Sequence, residues 1–352
     1  KLAFTKYDCS RLFVEDSEAP YFTDMLFANR FMKQMEYLRH GAQQNRIYIF
    51  YGPHGCGKST FLNNLLKKFE LYANTEEGRR YEIVWRLNIK ELQEKDKSLT
   101  ASAFEKLIHY VETKENLNLK PDKEPRVYLE KDSDVLEIPC ISHDNPFLII
   151  PKDQRRMVLD ELIKNDEFKW RLFTEKEYEW VFKEDVCTIC SSIYQALLER
   201  LGNPSEVFKM LYARPYYFNR RLGNGISVFN PGDKPLKMNI LSNEMLQNRI
   251  NVLFQDSNLI RYLYSRFAKI HNGIYALMDI KSHNVERMVE LHNIISEGLH
   301  KVDEIEERVD SLFFALMNPE DKRNIRDFPS FADRIQYIDI PYVLDVKTEV
   351  KI

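Results

Sequence analysis

Apolar residues along the chain form short runs typical of buried strands and periodic patterns typical of amphipathic helices. The run Ile47-Tyr48-Ile49-Phe50-Tyr51 has no polar interruption, which indicates a strand buried on both faces of a parallel sheet. Similar runs predict further strands at 81–87, 273–279, 311–317 and 335–340. Helical spacing predicts helices at 22–44, 61–69, 101–112 and 244–270. These elements predict an α/β fold with a parallel central sheet.

The segment after the first strand matches the phosphate-binding pattern G-x-x-x-x-G-K-[ST] and leads into the predicted helix at 61–69. It reads Gly52-Pro53-His54-Gly55-Cys56-Gly57-Lys58-Ser59-Thr60. Glycines allow the backbone N–H groups to turn inward around an anion. We expect Lys58 to reach the β and γ phosphates of ATP and Ser59 to bind Mg²⁺. The alternative is a chance match in a strand-to-helix turn.

Three residues beside predicted strands are candidates for completing a hydrolysis site with Lys58. Asp279 ends an apolar run and is the expected second magnesium ligand, although Ile280 stands where a glutamate usually follows. Asn318 ends another run and is suited to orient a water near the γ-phosphate. Arg334 precedes the last strand and is a candidate arginine finger for a neighbouring subunit. The alternatives are a turn-capping aspartate, an ordinary turn residue and a surface Arg–Asp pair.

Two short cysteine motifs predict a structural zinc site. Cys140-x2-His143 and Cys187-x2-Cys190 are C-x2-H and C-x2-C knuckles joined by a long spacer. Together they supply the Cys3His environment that Zn²⁺ favours, and four protein ligands leave no open position for a catalytic water. The alternative is a set of buried unpaired cysteines with a surface histidine. The Arg155-Arg156 pair and its helix lie in the spacer, where the zinc clip would hold them.

Composition restricts the class of protein. The chain has 352 residues, roughly two domains at about 150 residues each, and a net charge of -3. A balanced charge argues against an obligate nucleic-acid binder, and no basic stripe with interleaved aromatics appears. Five cysteines at low density do not resemble a disulfide scaffold. No apolar run reaches the 18 residues typical of a membrane span, so we expect a soluble protein of the reducing cytoplasm.

With these motifs, the chain resembles the AAA+ domain of the PrkA family, the PrkA-type serine protein kinases. The matching segments are 52–59, 75–78, 140–143, 148–151, 186–190, 229–231, 272–273, 296–298 and 334–342, together with Pro146, Gly223, Gly225, Asn318 and Glu320. The resemblance implies a P-loop NTPase of AAA+ type that uses Mg-ATP and assembles as a homo-oligomer through the arginine finger.

The resemblance also implies a division of the chain. Residues 1–87 and 271–352 would form the nucleotide-binding core, interrupted by a polar inserted segment at 88–136, a zinc-bearing α-rich insertion at 137–241 and a helical connection at 242–270. The acidic pair that the family carries near the second nucleotide motif is reduced here to Ala276 and Asp279. The sequence ends just past the last predicted core strand, so we expect either that the chain is a fragment or that the family's helical lid comes from elsewhere.

Three functions remain open from the sequence. The first is an ATPase module that remodels or regulates a protein partner. The second is a protein Ser/Thr kinase, which the family name suggests, although the sequence has no H-R-D-x-x-x-x-N loop and no D-F-G motif. The third is a nucleotide-sensing module with little turnover, which Ile280 in place of the expected glutamate favours.

Overall fold

The computed structural model describes residues 5–39, 46–88, 92, 135–233, 240–254, 260–281, 286–326, 333–343, 348 and 350. The predicted helix at 101–112 and most of the predicted polar segment at 88–136 lie outside these residues. The strands are β1 Ile47–Tyr51, β2 Arg80–Asn88, β3 Val135–Pro139, β4 Leu211–Tyr216, β5 Ile226–Phe229, β6 Ile240–Ser242, β7 Leu263–Ser265, β8 Ile274–Leu277, β9 Leu299–Val302, β10 Ile305–Arg308, β11 Leu312–Met317 and β12 Ile335–Asp339.

The helices connect these strands along the chain. They are α1 Ser10–Phe13, α2 Met25–Arg39, α3 Lys58–Ala73, α4 Lys152–Leu162, α5 Asp166–Thr174, α6 Trp180–Lys183, α7 Thr188–Leu201, α8 Pro204–Phe208, α9 Glu244–Leu253, α10 Glu286–Glu297 and α11 Arg323–Arg326. Short 3-10 turns occupy Pro146–Ile149, Lys176–Tyr178, Arg220–Leu222, Ala268–Ile270 and Pro319–Lys322. The described residues therefore form a mixed α/β fold.

Five strands form the central sheet in the order β12-β1-β11-β8-β5, and every pairing in it is parallel. Side chains of β1 alternate between two apolar clusters: Tyr48 and Phe50 face one, and Ile47 and Ile49 face the other. This confirms the predicted parallel sheet with a strand buried on both faces. Because the strands are parallel, their carboxyl ends lie at one edge, which brings together the loops that follow them.

A second sheet carries the cysteine motifs. It is antiparallel, in the order β3-β2-β4. Its buried side chains, including Ile83 and Trp85, pack in one cluster with Cys140, Cys190 and α7. The hairpin β9-β10 and the pair β6-β7 complete the described strands.

The strand pairing differs from the predicted division at three strands. β2 falls in the predicted 1–87 core, yet it is the middle strand of the second sheet. β5 falls in the predicted 137–241 insertion, yet it is an edge strand of the central sheet. The predicted 242–270 helical connection contains α9 but also β7. The sheet to which each of these strands belongs depends on pairing with strands distant in sequence, and local periodicity does not reveal that pairing. Within the described residues, no helix combines the length and apolar character needed to cross a membrane.

Candidate functional site

The 52–59 loop joins β1 to α3 at the carboxyl edge of the central sheet. A Cβ on Gly52 would lie 2.2 Å from the backbone oxygen of Ile340, so the approach of the chain after β12 requires glycine there. Gly57 has φ 83° and caps the start of α3, a left-handed conformation that favours glycine. Gly55, at φ 77°, also adopts this conformation. The sequence pattern therefore coincides with a turn whose backbone needs its glycines.

Lys58 begins α3, and its ammonium group folds back over the loop. Nζ donates to the backbone oxygens of Gly52 at 2.8 Å and Pro53 at 2.7 Å, and the residue is only 6% exposed. These two carbonyls partly offset the cost of burying the charge. Ser59 is exposed at the next position, Thr60 is half-buried, and Cys56 is buried within the loop. A cation and a helix N-terminus thus meet in one turn.

Two further predicted residues lie at the same sheet edge. Asp279 follows β8 with φ 65°, an uncommon conformation that aspartate tolerates better than most residues. Asn318 follows β11 and is 3% exposed, and its Nδ2 lies 3.4 Å from Oδ2 of Asp321. Because β11 lies between β1 and β8, Asn318 lies between the 52–59 loop and Asp279. Strand order alone therefore gathers Lys58, Asp279 and Asn318 at one edge.

A fourth side chain at this edge, Glu320, was given no role by sequence reasoning. Its carboxylate contacts Nε2 of His54 in the 52–59 loop. The hydroxyl of Tyr342 donates to the backbone oxygen of His54 over 2.7 Å, which fixes the loop from the other side. The available sequence signal was its position two residues after Asn318, but the contact with His54 depends on β11 pairing with β1.

Arg334 is not near the loop of its own chain. It precedes β12, whose carboxyl end lies at the loop edge, so Arg334 lies at the opposite edge of the sheet. Its guanidinium donates to Oγ of Ser296. A role for Arg334 in a neighbouring subunit stays a prediction.

A second candidate site is a buried metal centre. Ligand atoms of Cys140, Asp144, Cys187 and Cys190 all lie within 4.8 Å of one another. The sulfurs of Cys140 and Cys187 are 3.7 Å apart and are not disulfide-bonded. A tetrahedral ion with bonds of about 2.3 Å to sulfur would separate two sulfurs by about 3.8 Å. This buried Cys3Asp cluster therefore has the donor types and spacing to hold a metal such as zinc.

The cluster differs from the predicted set in one ligand, because Asp144 takes the place of His143. His143 has φ 53°, and its ring stacks on Tyr216 with centroids 3.9 Å apart. Its Nδ1 lies 2.6 Å from Oε2 of Glu82, which is itself paired with Arg214. The Nε2 of His143 is buried with no hydrogen-bond partner in the described part of the chain. The three predicted cysteines come together, whereas His143 is held by Glu82 and Tyr216.

Each cysteine sulfur in the cluster has an N–H donor. The backbone N–H of Asp144 faces the Cys140 sulfur at 3.4 Å, and that of Cys190 faces the Cys187 sulfur at 3.5 Å. The indole N–H of Trp85 lies 3.4 Å from the Cys190 sulfur. Such donors stabilise thiolates around a metal and orient the ligands. Trp85 is the contributor that sequence reasoning missed, since it lies on β2, far from both motifs.

The ionisation of the cluster reflects its burial. Burial raises the pKa of the Cys140 and Cys190 thiols, and burial beside Cys187 raises the pKa of Asp144. Hydrogen bonds from Cys140 and Cys190 lower the pKa of Cys187 well below its usual value. A bound divalent ion would displace the remaining protons.

A buried arginine fixes the chain on both sides of the cluster. Arg155 is 1% exposed, and its guanidinium donates to four backbone oxygens, a set of contacts that we call the Arg155 clamp. The acceptors are Leu148 at 2.9 Å, Ile150 at 3.0 Å, Val181 at 2.5 Å and Glu184 at 2.9 Å. The segment after Cys140 is thereby tied to the segment before Cys187 by contacts that Arg155 itself makes.

A buried histidine lies next to the metal centre, and a buried glutamate lies in the segment before Cys187. The Nδ1 of His271 accepts from the backbone N–H of Asp310, so its Nε2 carries the proton, 3.9 Å from Oδ1 of Asp144. Burial lowers the pKa of His271 to about 3, which keeps the ring neutral. Burial raises the pKa of Glu184 to about 7, and Arg308 at 3.3 Å opposes that shift.

Comparisons with protein-family models and with curated protein sequences find no match to this chain. Its function is therefore inferred from the residues of the two sites.

Proposed function

We propose that the chain is a P-loop NTPase of AAA+ type that binds and hydrolyses Mg-ATP at the 52–59 loop. The observation that carries the proposal is the gathering of Lys58, Asp279 and Asn318 at one sheet edge, beside a glycine turn that opens a 16-residue helix. A cation, a helix N-terminus and an acid at the ends of neighbouring strands are the parts that triphosphate binding requires.

Each residue has a definite task in this proposal. The backbone N–H groups of the loop and the N-terminus of α3 bind phosphate oxygens. Lys58 exchanges the backbone oxygens of Gly52 and Pro53 for the β and γ phosphates. Ser59 and Asp279 hold Mg²⁺, which neutralises charge developing on the phosphates. Asn318 orients a water between them.

The metal centre acts as a structural clip in this proposal. Zinc bound by Cys140, Asp144, Cys187 and Cys190 has four protein ligands and no open position for substrate. It would join the end of β3 to the start of α7, and so fix the second sheet.

In this proposal, ATP hydrolysis drives the remodelling or regulation of a protein partner. Arg334 reaches the nucleotide of a neighbouring copy, so turnover depends on homo-oligomer formation. A nucleotide-sensing module with little turnover is the second candidate, because Ile280 after Asp279 is fully buried and offers no acid.

Calorimetric titration with Mg²⁺ and a slowly hydrolysed ATP analogue tests the proposal. We expect Lys58→Ala to weaken binding by about 100-fold, since a charge-assisted contact to phosphate worth about 2.7 kcal/mol is removed. Lys67→Ala is the matched control, because Lys67 lies on the same helix with a side chain 46% exposed. Equal affinities for wild type and Lys58→Ala would refute nucleotide binding at this loop.

A further inference from the structure

The proposed hydrolysis needs a carboxylate that accepts the proton of the water that Asn318 orients, and the residue after Asp279 does not supply one. Ile280 is fully buried, and its backbone N–H donates to the oxygen of Leu316 over 2.9 Å. An apolar side chain in the core cannot accept a proton from water. The proton acceptor must therefore follow another strand of the sheet.

Other carboxylates at this edge are engaged by cations. Asp321 is 9% exposed, and its Oδ2 accepts from Nζ of Lys281 at 2.8 Å. Asp339, at the end of β12, is paired with Arg30 at 3.1 Å. Asp279 is assigned to Mg²⁺ in the proposed function. These three acids are therefore poorly placed to take a proton from water.

Glu320 differs from them in position, because its carboxylate faces the 52–59 loop. It lies in the 3-10 turn directly after β11, the strand adjacent to β1, and its side chain is 49% exposed. Its carboxylate contacts Nε2 of His54, a residue of the 52–59 loop. Its own backbone N–H and the His54 contact lower the pKa of Glu320, so the carboxylate is ionised at neutral pH. An ionised, water-accessible acid thus lies against the loop.

We propose that Glu320 accepts the proton of the water that Asn318 orients, and that His54 is a positioning residue that holds this carboxylate beside the loop. The inference rests on the proposed function. In the step, the water oxygen forms a bond to the γ-phosphorus while the bond between that phosphorus and the β–γ bridging oxygen breaks. ADP leaves with the bridging electron pair, and the water proton passes to Glu320 and then to solvent.

Glu320→Gln separates this role from nucleotide binding. The amide keeps the size of the side chain but accepts a proton poorly, so we expect turnover of Mg-ATP to fall by about 100-fold or more. Affinity for the ATP analogue should stay within about two-fold of wild type, because the binding contacts are untouched. Glu304→Gln is the control, since its side chain is 88% exposed in the β9-β10 hairpin. Wild-type turnover by Glu320→Gln, or a large loss of affinity, would overturn the assignment.

The two proposals fail in different ways. A wild-type chain that binds no nucleotide would overturn the proposed function, and this assignment with it. A wild-type chain that binds nucleotide but does not hydrolyse it, even at concentrations that permit assembly, would overturn the proposed hydrolysis and the role of Glu320 while leaving nucleotide binding intact. Hydrolysis by wild type that is unchanged in Glu320→Gln would overturn only the assignment of Glu320.

His54 is tested by a conservative rescue. His54→Ala removes the contact with Glu320, and we expect about a 10-fold fall in kcat with little change in KM. His54→Gln keeps a donor near the position of Nε2 and should restore most of kcat. If kcat falls equally in both variants, or if only KM changes in both, His54 does not position Glu320.

Discussion

The backbone N–H of Cys187 donates to Oδ2 of Asp144 over 2.8 Å. The other carboxylate oxygen of Asp144 lies 3.9 Å from Nε2 of His271, so the backbone contact is the hydrogen bond that orients the carboxylate within the cysteine cluster. This contact, together with the distances among the four ligand atoms, makes Asp144 rather than His143 the candidate fourth ligand.

Removal of the carboxylate charge should therefore weaken zinc binding. We expect Asp144→Asn to lower zinc affinity by about 100-fold or more in a chelator competition, whereas His143→Asn should change it by less than about 10-fold. Cys9→Ser serves as the control, because Cys9 lies in the cluster of buried residues around β1 and α3. If His143→Asn lost zinc and Asp144→Asn retained it, the result would contradict Asp144 as a ligand and support the Cys3His set.

Zinc removal should loosen the second sheet selectively. With the ion bound, the backbone N–H groups of Asp144 and Cys190 face metal thiolates. After chelation, we expect these two amides to exchange with solvent at least about 10-fold faster, because metal binding and local folding are coupled. Amides of β1, an interior strand of the other sheet, are the internal control. Equal acceleration at both places, measured by hydrogen exchange, would contradict a local clip.

Arg155 should contribute strongly to stability through its backbone contacts. Arg155→Lys keeps the charge but loses the planar fork, which leaves buried carbonyls without donors, and we expect a loss of about 3 kcal/mol in the free energy of unfolding. Arg156→Lys is the neighbouring control. Arg156 is exposed and lies over the rings of Phe173 and Phe182, so its loss should stay near about 1 kcal/mol. Urea denaturation measures both, and equal losses would refute the clamp.

Glu184 should make stability depend on pH. Burial raises its pKa from 4.5 to about 7 in the folded chain, so the folded state holds a proton that the unfolded state releases. The stabilisation that this proton provides is complete below pH 4.5 and is lost as pH rises to about 7. Over that range, the free energy of unfolding should fall by at most about 1.4 kcal/mol per pH unit. Glu184→Gln should flatten this decline in urea denaturation. The exposed Glu199→Gln should leave it intact, and a decline in Glu184→Gln as steep as that of wild type would contradict the assignment.

The central sheet was predictable where the chain is apolar on both faces. β1 was predicted over the residues it occupies, because each of its side chains enters one of two cores. β5 was missed, since four residues interrupted by Ser227 carry little signal until β8 is placed beside them. Pairing distant in sequence decides such a strand.

The candidate sites were predictable to the extent that residues adjacent in sequence define them. The cysteine spacing identified three metal ligands, but the choice between His143 and Asp144 depends on the left-handed backbone at His143 and on Glu82 from another strand. Glu320 required the pairing of β11 with β1 to be known. Neither contact leaves a periodic pattern in the sequence.

A crystal structure with Mg²⁺ and a non-hydrolysable ATP analogue tests the central claim most directly. In this complex, Nζ of Lys58 should leave the backbone oxygens of Gly52 and Pro53 and bind the β and γ phosphates, with Mg²⁺ on Oγ of Ser59. An analogue bound away from the 52–59 loop, with Lys58 still on the same two backbone oxygens, would contradict the account.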